Sequence, residues 1–263
     1  MSSLTVTLIQ SPLFWEDKKA NLEMFQQKIE NIKERTEIII LPEMFNTGFS
    51  MNAETLAETM DGETIQWMKQ IAAKQKVILT GSLIIKENNN YYNRLVWMLP
   101  NGEYGIYDKR HLFAYANEHK QFSAGNKKLI ASVKGWKINL QVCYDLRFPV
   151  WARQPNGGDE TKYDILINVA NWPQKRSLAW DTLLKARAIE NQSFVIGVNR
   201  VGEDNNEIIY NGGSTIIDPL GERIYQKTNG EDIFTCTLHK EKLEEVRTQF
   251  PFLDDADSYI INM

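Results

Sequence analysis

Ile38-Ile39-Ile40-Leu41 is an unbroken aliphatic run that ends on Pro42-Glu43. A strand solvated on one face alternates apolar and polar side chains, so an unbroken run needs cover on both faces. The segment 164–170 also reads as a buried strand, whereas Leu4-Thr5-Val6-Thr7-Leu8 alternates like a half-buried strand. Between such runs the spacing turns helical. Leu22, Phe25, Ile29 and Ile32 share one helical face. A second helix opens at Asp61-Gly62-Glu63-Thr64 and carries Ile65, Met68 and Ala72. A third spans 178–191 with Ala179, Leu183, Ala186 and Ile189 on one apolar face.

Further strands are expected at 77–85, 92–99, 103–109, 136–143, 193–201, 208–217 and 222–226. Asn88-Asn89-Asn90 and Asn101-Gly102 read as hairpin turns, and Asp218-Pro219-Leu220-Gly221 as another turn. A short helix starts at Phe148 and is closed by Pro155-Asn156-Gly157-Gly158. Strands outnumber helices and the two alternate. Sheets packed face to face with helices outside, a layered α/β sandwich, bury such a pattern. The 263 residues contain no linker, low-complexity stretch or repeat, so one domain over 1–263 is expected. Its tail, from about Leu238, is loosely patterned and reads as an arm or an interface piece.

Composition narrows the function. A net charge of -4 without a basic stripe argues against a nucleic-acid partner. The apolar runs fall far short of the ~20 residues of a membrane helix, so no membrane partner is expected. No basic segment followed by an apolar one opens the sequence, and a cytoplasmic setting with Cys143 and Cys236 reduced is the expectation. His111, His119 and His239 form no His-x-His or His-Glu-x-x-His spacing and there is no cysteine pair, so no metal site is expected.

The reactive candidates sit where strands end. Cys143 closes the run from Lys137 and is followed at once by Tyr144-Asp145-Leu146-Arg147-Phe148-Pro149. A nucleophile on a sharp strand-to-turn junction is exposed beside a free backbone N–H. The bland alternative is a small buried hydrophobe; the charge that follows immediately speaks against it. Cys236, within Phe234-Thr235-Cys236-Thr237-Leu238, reads as a plain strand cysteine. A thiol needs a base. None of the three histidines carries a distinctive local motif, which leaves a Cys-His pair without support. Glu43, directly after the aliphatic run and Pro42, is a partly desolvated carboxylate suited to general-base work, or else an exposed loop glutamate. Lys109 follows Tyr104-Gly105-Ile106-Tyr107-Asp108 and, if it turns inward, favours a thiolate and an oxyanion; otherwise it is a surface lysine. Glu118 could hold Lys109 or relay protons, or be a solvated helix-end charge.

Taken together these segments resemble the nitrilase superfamily of carbon-nitrogen hydrolases. The resemblance rests on Leu41-Pro42-Glu43-Met44-Phe45, on 107–113 around Lys109, on Glu118-His119-Lys120 before Ala124-Gly125, and on Val142-Cys143-Tyr144-Asp145-Leu146-Arg147-Phe148-Pro149. Asn171-Trp172-Pro173 and 186–192 extend it, and it runs from about Leu4 to Gln226. It implies a four-layer αββα sandwich, a homodimer or higher homo-oligomer, and a Glu43, Lys109, Cys143 triad with Glu118 in support. It implies no metal or organic cofactor. It also implies amide hydrolysis through a thioester, with the backbone N–H of Tyr144 and Lys109 on the oxyanion. The runs 147–153, Asn171-Trp172-Pro173 and 176–180 resemble the bacterial omega-amidase branch, which acts on omega-amides of small 2-oxo acids such as 2-oxoglutaramate and 2-oxosuccinamate. Such a substrate has a distal carboxylate, for which Arg176 is the first candidate and Arg147 the second, unless Arg147 is a structural ion pair. Trp172 is a candidate pocket wall, or simply core. The alternatives are an N-carbamoyl amine hydrolase or a nitrilase built on the same residues, and a non-catalytic scaffold with the same fold.

Overall fold

The structure, a computed structural model, describes residues 2–154 and 162–261. The turn expected at Pro155-Asn156-Gly157-Gly158 lies outside the described residues. The elements run β1 (Ser3–Gln10), α1 (Lys18–Glu30), β2 (Ile38–Ile40), α2 (Ala53–Leu56), α3 (Glu63–Gln75), β3 (Ile78–Glu87), β4 (Asn90–Met98) and β5 (Tyr104–Asp108) in the first half. The second half runs α4 (Glu118–Gln121), β6 (Ile130–Val133), β7 (Trp136–Val142), α5 (Pro149–Ala152), β8 (Ile165–Ala170), α6 (Ser177–Asn191) and β9 (Phe194–Asn199). It continues β10 (Val201–Glu203), β11 (Ile209–Ile217), β12 (Arg223–Thr228), β13 (Asp232–His239) and α7 (Lys240–Gln249). Among the described residues no helix is long and apolar enough to cross a membrane.

Two sheets form. One has the order β13-β1-β2-β3-β4-β5, the other β10-β11-β9-β8-β7-β6 with β12 paired to β11. The centre of each is parallel: β1, β2 and β3 in the first, β7, β8 and β9 in the second. The aliphatic run at β2 shows why both of its faces had to be apolar. Ile38 and Ile40 join the core between the sheets, with Leu4, Val6 and Leu8 from β1 and Ile138, Leu140 and Val142 from β7. Ile39 and Leu41 point the other way, into a core with Leu22, Phe25 and Ile29 of α1 and Ile65, Met68 and Ala72 of α3. Each such burial stabilises by about 1.5–3 kcal/mol. With α6 against the outer face of the second sheet, the layers are helix, sheet, sheet, helix, as expected.

Helix α6 departs from expectation in phase. The structure buries Trp180, Leu184, Arg187, Ala188 and Asn191, while Ala179, Leu183 and Ala186 are half-buried and Ile189 faces outward. The cause is on the sheet. A Cβ on Gly197 of β9 would stand 2.6 Å from Leu184 and 2.8 Å from Trp180, so the missing side chain makes the seat for these two residues. Ile32 lies beyond the end of α1 yet still packs on its core. Leu238, where an arm was expected to begin, is inside β13, paired along β1. The chain then forms α7, which buries Leu243 and Val246, and Lys240 and Arg247 bind the Asp164 carboxylate at 3.0 and 3.3 Å. Leu178 and Ile189, eleven residues apart on α6, are both exposed on its outer face.

Candidate active site

The C-terminal ends of the parallel strands meet at one edge of the two sheets, where open α/β folds place their ligands. Leu41-Pro42 leads out of β2, and the chain reverses at Met44, whose φ is +43°. Ser82 of β3 holds this turn: its hydroxyl accepts from the Met44 N–H at 2.9 Å and its carbonyl from the Phe45 N–H at 3.1 Å. Glu43 therefore points back between the sheets and is fully buried. Its Oε1 accepts from Lys109 Nζ at 2.9 Å and Asn93 Nδ2 at 2.8 Å. Its Oε2 accepts from the Asn171 N–H at 2.8 Å, and the Asn171 amide donates to the Glu43 carbonyl at 2.5 Å. Asn171 follows β8, so this pair of bonds ties the first sheet to the second.

Lys109 leaves β5 with its N–H on the Asn93 carbonyl at 3.0 Å. The returning chain at Gly125 closes on Asp108 so tightly that a Cβ would stand 2.1 Å from the Asp108 carbonyl oxygen. Only glycine allows that approach. The Lys109 ammonium has no exposure and reaches Glu118 Oε1 at 3.0 Å and Oε2 at 2.9 Å as well as Glu43. The Phe113 N–H donates to Glu118 Oε2 at 2.5 Å. One ammonium thus lies between two carboxylates. Burial works against the charge on Lys109, but Glu118 and Glu43 outweigh it and hold the amine protonated well above its usual range. Burial pushes the Glu118 carboxyl up, against the pull of Lys109 and with the help of the Glu43 charge.

Cys143 opens a short 3-10 turn, Cys143–Arg147, with φ at +47°. A non-glycine residue there is strained by roughly 1–2 kcal/mol. Asp145 supports the strained turn. It accepts from Tyr107 Oη at 2.6 Å, His111 N–H at 2.9 Å and Val142 N–H at 3.1 Å, and pairs with His111 Nδ1 at 2.8 Å. Burial pushes the Cys143 thiol well up, the Glu43 charge and hydrogen bond add to this, and Lys109 opposes them. These effects favour the thiol over the thiolate at rest, with Glu43 as its neighbouring acceptor. Lys109 does pull towards the thiolate, as its position in the sequence suggested, but burial and the Glu43 charge outweigh it. The N–H of Tyr144 lies in the first turn of the 3-10 segment, where donors have no partner within the helix. His111 is engaged by Asp145 and stacks on Phe148 at 3.7 Å, and His119 and His239 are exposed, so no histidine serves the thiol. Cys236 lies in β13, half-buried, opposite Val6.

Cys143 forms part of the floor of a cavity of about 510 Å³. Glu43, Lys109 and Glu118 lie beneath it. Arg147 and Arg176 are in its wall, the first 4.9 Å from the Trp172 ring and the second 5.0 Å from the Phe113 ring. Neither guanidinium has an acidic partner among the described residues, so Arg147 is not the structural ion pair it could have been. Trp172 is both wall and core: it lines the cavity yet is only 3% exposed. Its Nε1–H donates to the Arg176 carbonyl at 2.8 Å, its N–H to Asn199 Oδ1 at 2.7 Å, and the Asn199 amide to its carbonyl at 2.9 Å. Glu16 and Asp204 also line the cavity.

All the candidates from the sequence therefore collect around this cavity. Four residues that hold it together have no role assigned from the sequence: Asn93, Asp145, Asn171 and Asn199. Asn199 could have been found, because a polar residue at the end of an apolar parallel strand is itself a signal; Asn171 follows a strand that already carries Asn168. Asn93 lies inside a strand and carries no such mark.

The sequence profile of the carbon-nitrogen hydrolases matches residues 5–248. The chain is 43% identical to omega-amidase YafV of Yersinia enterocolitica, over 99% of this chain and 100% of that protein. It is 34% identical to 2-oxoglutaramate amidase of Bacillus subtilis, over 95% of this chain and 96% of that one. Among solved structures it superposes with a TM-score of 0.96 on a CN-hydrolase superfamily protein of Xanthomonas campestris, crystallised with an arsenic adduct in its active site. That protein is 41% identical, with complete coverage of both chains.

Proposed function

The chain belongs to the carbon-nitrogen hydrolase family, and from that premise we propose that it is an omega-amidase for small 2-oxo acids. It is a hydrolase of carbon-nitrogen bonds other than peptide bonds; the substrate class and the residue roles are the proposal. The observation that carries it is the pairing of a thiol beside a buried carboxylate with two guanidinium groups in the same cavity wall that have no acidic partner among the described residues. The first attacks an amide; the second receives a carboxylate at the substrate's far end.

The amide carbon sits over Cys143. Glu43 takes the thiol proton as sulfur attacks, which suits a sulfur that is protonated at rest. The oxyanion lies between the Lys109 ammonium and the Tyr144 N–H; removing one such donor costs about 10²–10³ in rate. Protonated Glu43 hands its proton to the departing nitrogen, the C–N bond breaks, and ammonia leaves a thioester. Water then enters, Glu43 takes one of its protons, and the C–S bond breaks to give the free acid and the thiol. Glu118 keeps Lys109 charged and in place. Arg176 and Arg147 hold the distal carboxylate, and Trp172 closes the wall.

The proposed setting is cytoplasmic, with a homodimer or higher homo-oligomer and no nucleic-acid partner. The fully buried Glu43, Lys109 and Glu118 beneath an open cavity support catalysis over a scaffold role, since a scaffold gains nothing from burying three charges. The test is ammonia release from 2-oxosuccinamate and 2-oxoglutaramate, set against a simple amide, a nitrile and an N-carbamoyl amine. Preference for the 2-oxo acid amides, lost in Arg176→Ala, is expected. Equal losses on the acid-bearing amide and the simple amide would remove Arg176 from carboxylate recognition.

A further inference from the structure

We propose that Asn93 is a positioning residue of this site, its side-chain amide holding Glu43 and Glu118 apart as two separate carboxylates on one lysine. The inference rests on the reading of Glu43, Lys109 and Cys143 as the reacting group.

Asn93 is in β4, on the same side of the strand as Leu95 and Trp97, which belong to the core between the sheets. It is 1% exposed, and its Oδ1 has no hydrogen-bond partner among the described residues. A buried amide oxygen without a partner is unfavourable, and leucine, close in size, would avoid it. What leucine cannot do is donate. The amide donates to Glu43 Oε1 at 2.8 Å and to Glu118 Oε1 at 3.2 Å. These are the carboxylate oxygens that also face Lys109 Nζ, at 2.9 and 3.0 Å. The Asn93 carbonyl accepts the Lys109 N–H at 3.0 Å, so one residue fixes all three charged groups.

The charge balance explains the need. The groups around this amide are Glu43 from the turn after β2, Lys109 from the end of β5, Glu118 from α4 and Cys143 from the end of β7. Arg94 and Asp108 pair with each other at 2.6 Å, and Arg94 points to the opposite face of β4. Two carboxylates thus share one ammonium in a dry site, and like charges so placed tend to share a proton. A shared proton would leave Glu43 occupied when it must accept the one from sulfur. Asn93 places a donor on each carboxylate without adding a charge, which favours two separate carboxylates over one shared proton.

The experiment compares Asn93→Ala and Asn93→Asp with the native protein through the pH dependence of kcat/KM and of kcat for ammonia release from 2-oxosuccinamate. Loss of the donor lowers kcat by about 10²-fold with KM little changed. The acid limb moves to higher pH, by about one unit for Ala and further for Asp, which adds a third carboxylate. A folded Ala variant with an unmoved acid limb overturns the proposal, whether its rate is native or uniformly low, because a merely structural role predicts no shift. If neither variant folds, the native protein labelled with 15N-asparagine decides. The Asn93 side-chain amide signal follows the midpoint of the acid limb, and a signal flat through that range overturns the proposal. Cys143→Ala, run alongside, separates the two readings. Retained turnover there removes the catalytic reading itself, whereas an inactive Cys143→Ala with unshifted Asn93 variants removes only this inference.

Discussion

At Cys143 a left-handed backbone, a buried sulfur and a carboxylate partner coincide. The strain is held by Asp145, not by the nucleophile. Cys143→Ala should therefore fold with a native melting temperature and release no ammonia; a well-folded, fully active variant would end the proposed chemistry. Lys109 poses the opposite case. It is the only cation bonded to Glu43 and Glu118 among the described residues. Lys109→Met leaves two buried carboxylates facing each other, which costs about 3–5 kcal/mol. Its urea midpoint should fall as well as its activity, and an unchanged midpoint would show that the site relaxes and admits water. The sequence showed where each of these groups leaves its strand. It did not show that Glu43 bonds to three donors at once, since Asn93, Lys109 and Asn171 come from three separate strands of two sheets.

Among the elements, α6 is the informative one. It carries two adjacent apolar stripes, Ala179, Leu183, Ala186 and Ile189 beside Trp180, Leu184 and Ala188. Periodicity rates both as plausible inner faces. The choice is made by Gly197 on another strand, which leaves room for Trp180 and Leu184. Leu184→Ala should cost about 2–5 kcal/mol, and Leu183→Ala distinctly less, in chemical denaturation. The reverse order would mean that the helix is rotated by one residue. The tail shows the same limit. Lys240 and Arg247 of α7 dock on Asp164, a contact made across about eighty residues of chain that no local pattern announces.

At the scale of the molecule, alkaline pH probes the join between the layers. Tyr107 and Tyr163 are buried phenols; burial, with the nearby Asp145 charge for the first and Glu190 for the second, keeps both protonated beyond their usual range. The unfolded chain ionises them near pH ~10. Above that the folded state binds more protons, so stability falls as pH rises, by about 1.4 kcal/mol per unit for each phenol. Urea midpoints flat to pH ~11 would contradict this. The outer face of α6 supplies a second test. Leu178 is 80% exposed and Ile189 51%, which makes this face a candidate contact for the proposed homodimer. A dimer by light scattering is expected, weakened in Leu178→Asp/Ile189→Asp; a native monomer would remove the homodimer.

Local chemistry, periodicity and resemblance suffice for the layered architecture and for the residues that end its strands, because both depend on neighbours along the chain. A run such as Ile38-Ile39-Ile40-Leu41 can be buried in few ways, and Glu43 or Cys143 next to such a run lies at the sheet's edge. Three things needed the folded chain: the phase of α6, the neutral donors that hold the charges, and the protonated state of the sulfur. Each depends on atoms that meet only when two sheets stack, and burial among them, more than residue type, decides what a side chain's charge costs.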